Sequence, residues 1–169
     1  MDSNTGKNKV VLFEPVYWGA YRKVQRAPLS LMAVASLLDK EGYPIRIISQ
    51  TLYDDPDKQA LYDCKDAICF GITSLTGYQI DDGLRIAKII KEASPQLPIV
   101  WGGWHPTIEP ETTIMSPFVD ILVRGQGERS FTALVHAMEE GKPITDIPGV
   151  SYKKDGQTFH NPVAKFEDI

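Results

Sequence analysis

Cysteine is scarce: Cys64 and Cys69 are the only two in 169 residues. They stand five apart, with no CxxC and no Cys/His spacing around them, which leaves no basis for a disulfide framework or a zinc site. Both fall at a predicted helix-to-strand junction and read as reduced, buried thiols. No apolar run approaches the ~18 residues of a transmembrane helix. The polar stretch from Met1 to Lys9 lacks the apolar core of a secretory signal, so a cytoplasmic protein without a membrane partner is expected. Positive charge is not in excess either, since 18 Lys+Arg face 22 Asp+Glu for a net charge of −4. Phosphate backbones are held largely by clustered Lys and Arg, so nucleic acid is not an expected partner. Internal repeats and low-complexity tracts are missing, which argues against fibrous and disordered chains.

What is present is an alternation of short apolar runs with amphipathic segments. Lys9–Glu14, Pro44–Ile48, Ala67–Ile72, Pro98–Trp101 and Val119–Val123 read as strands, the third uninterrupted by charge and therefore central. Leu29–Glu41 reads as a helix apolar almost all round, with Gly42 as its stop. Asp55–Asp63 is a short polar helix, Tyr78–Ala93 a long one with Asp81 and Asp82 in its first turn, and Glu128–Glu140 a fourth helix that ends at Gly141. Gly149–Tyr152 and Gln157–His160, with Asp155-Gly156 between them, carry a hairpin signature. Five alternations predict a doubly wound α/β fold, a Rossmann- or flavodoxin-like five-stranded parallel sheet with a C-terminal β-hairpin. The predicted domain covers 9–146, the hairpin extension 147–162, and 163–169 reads as the start of a linker.

In such a sheet, ligands bind outside the carboxyl ends of the strands. Four of the five strand-end loops are unusual: 14–28 with Tyr17, Trp18 and Tyr21; Thr73–Gly77; Gly102–Thr107; and Arg124–Glu128. The loop after the second strand is merely polar, which fits the order 2-1-3-4-5 with that strand at the edge. Each rich loop has two readings. Ser74 and Thr76 ahead of Gly77 either cap the next helix or offer hydroxyls to a ligand. Gly102-Gly103 is a plain turn, or else leaves the backbone open to a bulky neighbour. Gly125 and Gly127 open a helix whose free N–H groups suit an anion. The aromatic loop is a lid over a flat ligand or a cap on the core. His105 has no metal-ligating partner near it in sequence, and neither a metal site nor a catalytic residue is expected in this chain.

Three uses of the fold do not match. The strand ends carry Glu14, Thr73 and Arg124 where a phosphoacceptor receiver needs acidic residues and a lysine. The first loop is long and aromatic, unlike a flavodoxin phosphate loop, and no GxGxxG follows the first strand.

Taken in order, Val100–Thr107, Glu109-Pro110-Glu111 and Val119–Glu128 resemble the cobalamin-binding N-terminal domain of cobalamin-dependent radical SAM enzymes. Pro28–Ala33 and Ile147–Tyr152 are similar too, so the likeness runs from Val10 to Pro162. The resemblance implies cobalamin on the rim with its nucleotide tail threaded into the sheet's crevice. Gly102 and Gly103 would leave room for the tail, with Ser74, Thr76 and Thr107 hydrogen-bonding it. Gly125, Gly127 and Glu128 would close around its ribose and base, and His105 and Tyr17 belong to the same rim. The family usually reads Gly-Glu-Gly-Glu where this chain has Gly125-Gln126-Gly127-Glu128. No D-x-H occurs, so the cofactor is expected base-off with no histidine on cobalt, and Leu75 or the Tyr17–Tyr21 loop covers that lower face. The CxxxCxxC of a radical SAM cluster is also missing, which assigns the iron–sulfur cluster and S-adenosylmethionine to a catalytic domain absent from this chain. The expected function is that of a cofactor module in such an enzyme, a methyltransferase. The alternatives are a stand-alone cobalamin carrier or sensor, or a scaffold that binds no cofactor.

Overall fold

A computed structural model describes residues 8–15 and 27–163 of the chain. Its first half runs β1 (Lys9–Glu14), α1 (Leu29–Lys40), β2 (Ile45–Ser49), α2 (Pro56–Asp63), β3 (Ala67–Thr73) and α3 (Tyr78–Ala93). The second half runs β4 (Ile99–Gly102), α4 (Trp104–Ile108), α5 (Pro110–Ile114), β5 (Ile121–Val123), α6 (Gly127–Glu140), β6 (Val150–Lys154) and β7 (Gln157–His160). The sheet order is β2-β1-β3-β4-β5-β6-β7, parallel as far as β5 and antiparallel thereafter. The doubly wound α/β fold with order 2-1-3-4-5 and a closing hairpin is thus the observed one. The hairpin pairs with β5 and extends the same sheet to seven strands. Its tip is Asp155-Gly156, with φ of 51° and 77°, the left-handed pair that a type I′ turn requires.

Two elements differ from the sequence reading. The stretch after Gly103, read as loop, forms two helices of five residues each. Pro110 starts the second of them, where its missing N–H costs nothing. Helix α1 is apolar almost all round but buried on one side only: Leu31, Ala35 and Leu38 are buried, whereas Leu29 is 71% exposed and Met32 is exposed too.

Strand alternation divides the interior into two cores. Val10, Leu12, Cys69, Val100 and Val123 face α1 and α6 and pack with Leu31, Leu38, Phe131 and Leu134. Val11, Phe13, Phe70, Ile72 and Trp101 face the other way, toward α3, where Ile86 and Ile90 meet them. Cys64 and Cys69 are free and buried, one in each core, so the sheet stands between the two thiols. The hairpin is fastened to the loops beside it. Asn161 Nδ2 donates to Ile144 O at 3.0 Å and to Ile147 O at 2.8 Å, and Arg124 Nη2 donates to Asn161 O. Among the described residues no helix is long and apolar enough to cross a membrane.

Candidate functional site

Strands β1 and β3 are neighbours, yet the chain leaves β1 for β2 on one side and returns to β3 on the other. Helices α1 and α6 are left on one face of the sheet, and at the carboxyl ends of the strands a cavity of about 450 Å³ opens between their first turns. That size is within the range of small-molecule sites. Its floor is the α1/α6 face of the sheet: Leu12, Gly71, Val100 and Val123, with Thr73 and Gly102 at the strand ends. Ser30, Leu31 and Val34 form one wall, and Gln126, Gly127, Glu128 and Phe131 the other.

Gly102 and Gly103 have different reasons to be glycine. Gly103 has φ of +96°, and a Cβ there would come within 2.8 Å of Ser74 O. A side chain at this position would be strained and would clash, so the fold alone requires the residue. Gly102 has no positive φ, and its Cβ would meet only Val123 O, at 3.7 Å. Neither backbone nor neighbour demands a glycine there; its missing side chain keeps the cavity open. The plain-turn reading therefore suits Gly103 and not Gly102.

Of the residues singled out in sequence, Gly102, Gly103, Thr107, Gly125, Gly127 and Glu128 line the cavity. The Thr107 hydroxyl is already engaged, donating to Gly103 O at 2.7 Å and accepting from Gly125 N at 3.0 Å. It staples the loop after β4 to the loop after β5, and this binding residue of the sequence reading is also a structural pin. Ser74, Leu75, Thr76 and His105 do not line the cavity. The Ser74 side chain is buried, and its Oγ lacks a hydrogen-bond partner among the described residues. Thr73 takes the place expected of Ser74, because the alternation that turns Cys69 and Gly71 to this face turns residue 73 there too. Leu75 is 40% exposed on the rim. Thr76 Oγ1 lies 3.3 Å from His105 Nδ1, linking the loops after β3 and β4. Burial lowers the His105 pKa, opposed by Glu109, which keeps the imidazole neutral near pH 7. Tyr17 lies outside the described residues.

Thr73 and Ser30 are cavity residues that the sequence reading passed over, although the period-2 alternation of β3 would have found the first. Gln79 had no signal of its own. Its buried carboxamide accepts from Leu75 N at 2.8 Å and donates to Pro15 O at 3.1 Å, tying together the chain ends of β1 and β3. Helix α3 accordingly begins at Gly77 with no side-chain cap from Ser74 or Thr76, so their capping role is not realised. No group of three or more His, Cys, Asp or Glu suited to a metal ion occurs among the described residues.

A doubly wound sheet with an open crevice at the end of β1, β3 and β4 defines a ligand-binding domain of the nucleotide-accommodating type. A B12 binding domain family model matches residues 19–135, and the chain belongs to that family. Cobalamin, the cofactor inferred from the sequence, is the ligand for which the family is named. The chain is 32% identical over 160 residues to an uncharacterized methyltransferase of Pyrococcus horikoshii, covering 91% of this chain and 34% of that protein. The chain therefore spans about a third of the length of that curated relative. Two solved structures share the fold. One is the radical S-adenosylmethionine methyltransferase TsrM of Kitasatospora setae with cobalamin and an iron–sulfur cluster bound, at TM-score 0.78 and 21% identity, covering 96% of this chain and 30% of that one. The other is the cobalamin-dependent S-adenosylmethionine radical enzyme OxsB with aqua-cobalamin and S-adenosylmethionine bound, at TM-score 0.80 and 19% identity, covering 95% and 23%.

Proposed function

We propose that this chain holds cobalamin base-off, with its nucleotide tail in the crevice between α1 and α6 and its corrin on the rim. The module serves a larger methyltransferase of the radical S-adenosylmethionine type, whose catalytic domain lies in the same polypeptide. The observation that carries the reading is Gly102, a glycine that its backbone does not require, set where a side chain would fill the cavity. The methyltransferase role is supported by the likeness to the uncharacterized methyltransferase of Pyrococcus and to the methyltransferase TsrM.

When bound, cobalamin supplies a cobalt centre that takes up and hands on a methyl group; the protein's work is binding, orientation and exclusion of water. Gly102 leaves the floor open for the tail. Glu128, the one acidic residue in the lining among the described residues, would accept hydrogen bonds from the ribose hydroxyls. Gly125 and Gly127 let the main chain come close, and Thr107 holds that loop in register. Leu75, Thr76 and His105, outside the cavity on the rim, stand toward the corrin. The missing D-x-H supports a cobalt without a histidine ligand. Two buried free thiols support a reducing, cytoplasmic setting.

The test is to incubate the protein with hydroxocobalamin, remove free cofactor by gel filtration and record the visible spectrum. A retained chromophore with a base-off spectrum is expected. A base-on spectrum overturns the threaded tail, and a colourless protein overturns binding.

A further inference from the structure

Polarity in the cavity is graded by depth. Every buried residue of its lining is apolar: Leu12, Leu31, Val100, Val123 and Phe131 are each at most 5% exposed, with Ile72 and Gly71 beside them. Every polar side chain of the lining belongs to a residue that is partly or fully exposed: Ser30, Thr73, Thr107, Gln126 and Glu128. The Thr107 hydroxyl is occupied by Gly103 O and Gly125 N. The main chain under Leu12, Gly71 and Val100 is engaged too, because these strands bond to one another in register, Leu12 opposite Gly71 and Gly71 opposite Val100. A group that reaches the depth of this crevice therefore finds, among the described residues, van der Waals partners and no hydrogen-bond donor or acceptor side chain.

We infer that the crevice selects among cobamides by the base of the nucleotide tail, taking benzimidazole and phenolic bases and disfavouring adenine. This inference rests on the proposed placement of the tail. The bases differ at the end away from the sugar. A benzimidazole presents a plain benzene edge there, and its free ring nitrogen lies near the glycosidic end, within reach of the polar mouth. A phenolic base presents a similar apolar edge. Adenine places a pyrimidine ring there, with ring nitrogens and an exocyclic amino group that would all leave water. In the apolar depth they would stay unpaired, and an unpaired buried polar group costs its full desolvation. An apolar pocket discriminates against an added polar group by about ten- to a hundredfold.

The experiment measures dissociation constants of the protein for four aquo-corrinoids by absorbance titration: cobalamin, a para-cresolyl cobamide, an adeninyl cobamide and cobinamide, which has no nucleotide. Cobalamin and the cresolyl form should bind within about threefold of each other, and the adeninyl form at least about tenfold more weakly. Adeninyl cobamide binding as tightly as cobalamin overturns the inference and leaves the proposed function standing. Cobinamide binding as tightly as cobalamin shows that the tail is not in the crevice, and overturns the placement together with this inference. If none of the four binds, the proposed function itself fails. The variant Val123→Thr sharpens the result, because it sets one hydroxyl in the depth at nearly constant volume. The ratio of adeninyl to cobalamin affinity should shift toward adenine by several-fold, a change in ratio that general destabilisation does not produce; an unchanged ratio places the base elsewhere.

Discussion

Strands β3 and β4 show two faces that could hardly differ more. On one face Phe70, Ile72 and Trp101 are 0–2% exposed and close the core completely. On the other, the next residues along the same strands are Gly71, over which the Leu12 side chain leans, and Gly102, above which lies the cavity. The closed face is packed so tightly that helix α3 needs a glycine to pass over it: a Cβ at Gly83 would fall 2.8 Å from the tip of the Trp101 indole. Glycine thus serves opposite ends in one molecule. At position 83 it lets two elements meet, and at position 102 it keeps a space from being filled. Both faces carry a buried core, but the cavity opens only on the second, where Gly102 gives up buried area at the strand end.

The contrast makes Trp101→Ala the most damaging single change. A fully buried tryptophan truncated in a close-packed core costs about 3–5 kcal/mol. Urea denaturation should show that loss, while hydroxocobalamin affinity of the folded fraction stays within about threefold of wild type. A loss below about 1 kcal/mol would mean that this face repacks freely, and the contrast between faces would be gone. Gly102→Leu tests the other side. Its backbone tolerates a side chain and its Cβ enters open space, so the unfolding midpoint should hold or rise slightly. Cobalamin affinity should fall at least about a hundredfold, or about 2.8 kcal/mol. Unchanged binding would remove the cavity from the proposed site.

These two neighbouring residues also mark how far the sequence could be read. The β-strand period places Trp101 and Gly102 on opposite faces without any structure, and the apolar runs, the stops at Gly42 and Gly141 and the Asp155-Gly156 turn made the topology legible. The separation of Gly102 from Gly103 was not legible, because it depends on a φ angle and on the approach of Ser74 O, a contact between residues 29 apart in number. Thr73 against Ser74 turned on where β3 ends. Pairing of Thr73 with Gly102 carries the strand one residue beyond Ile72 and thereby sets which hydroxyl faces the cavity. Helices α4 and α5 escaped notice because five residues are too few to show a 3.6 period, and each contains a proline. Gln79 makes only main-chain contacts with other loops, which no local pattern announces.

A smaller effect is expected from Thr107→Val, which keeps the volume and removes the staple between the loops after β4 and β5. One donor bond to Gly103 O and one acceptor bond from Gly125 N disappear, a loss of about 1–2 kcal/mol at the usual net value per bond. The open face should feel this more than the closed one. Amide exchange at Gly125 should accelerate, while exchange at Phe70 and Ile72 in the buried strand tracks only the change in global stability. Equal acceleration at all three beyond that change would show that the rim is not a separate unit.

The smallest expected effect is one of pH, at the His105–Thr76 contact on the rim of the open face. Burial lowers the His105 pKa below its ordinary value of about 6.5, with Glu109 opposing. Between the folded and the unfolded pKa the unfolded chain binds the extra proton, so stability rises with pH across that window. The contribution of His105 is fully present above about pH 6.5 and is lost as pH falls through the lower, folded value. His105→Gln removes this titration and leaves the carboxylates, which dominate acid denaturation, as they were. Urea midpoints for both proteins at pH 7.5 and 5.0 isolate the term, since only the difference between their two slopes belongs to the imidazole. Wild type should lose slightly more stability than the variant on acidification. Parallel lines would mean that His105 is as well solvated in the folded protein as in the unfolded chain, and that the open face begins below residue 105 rather than including it. A steeper loss in the variant would reverse the sign, and would place a negative charge closer to the ring than Glu109 stands.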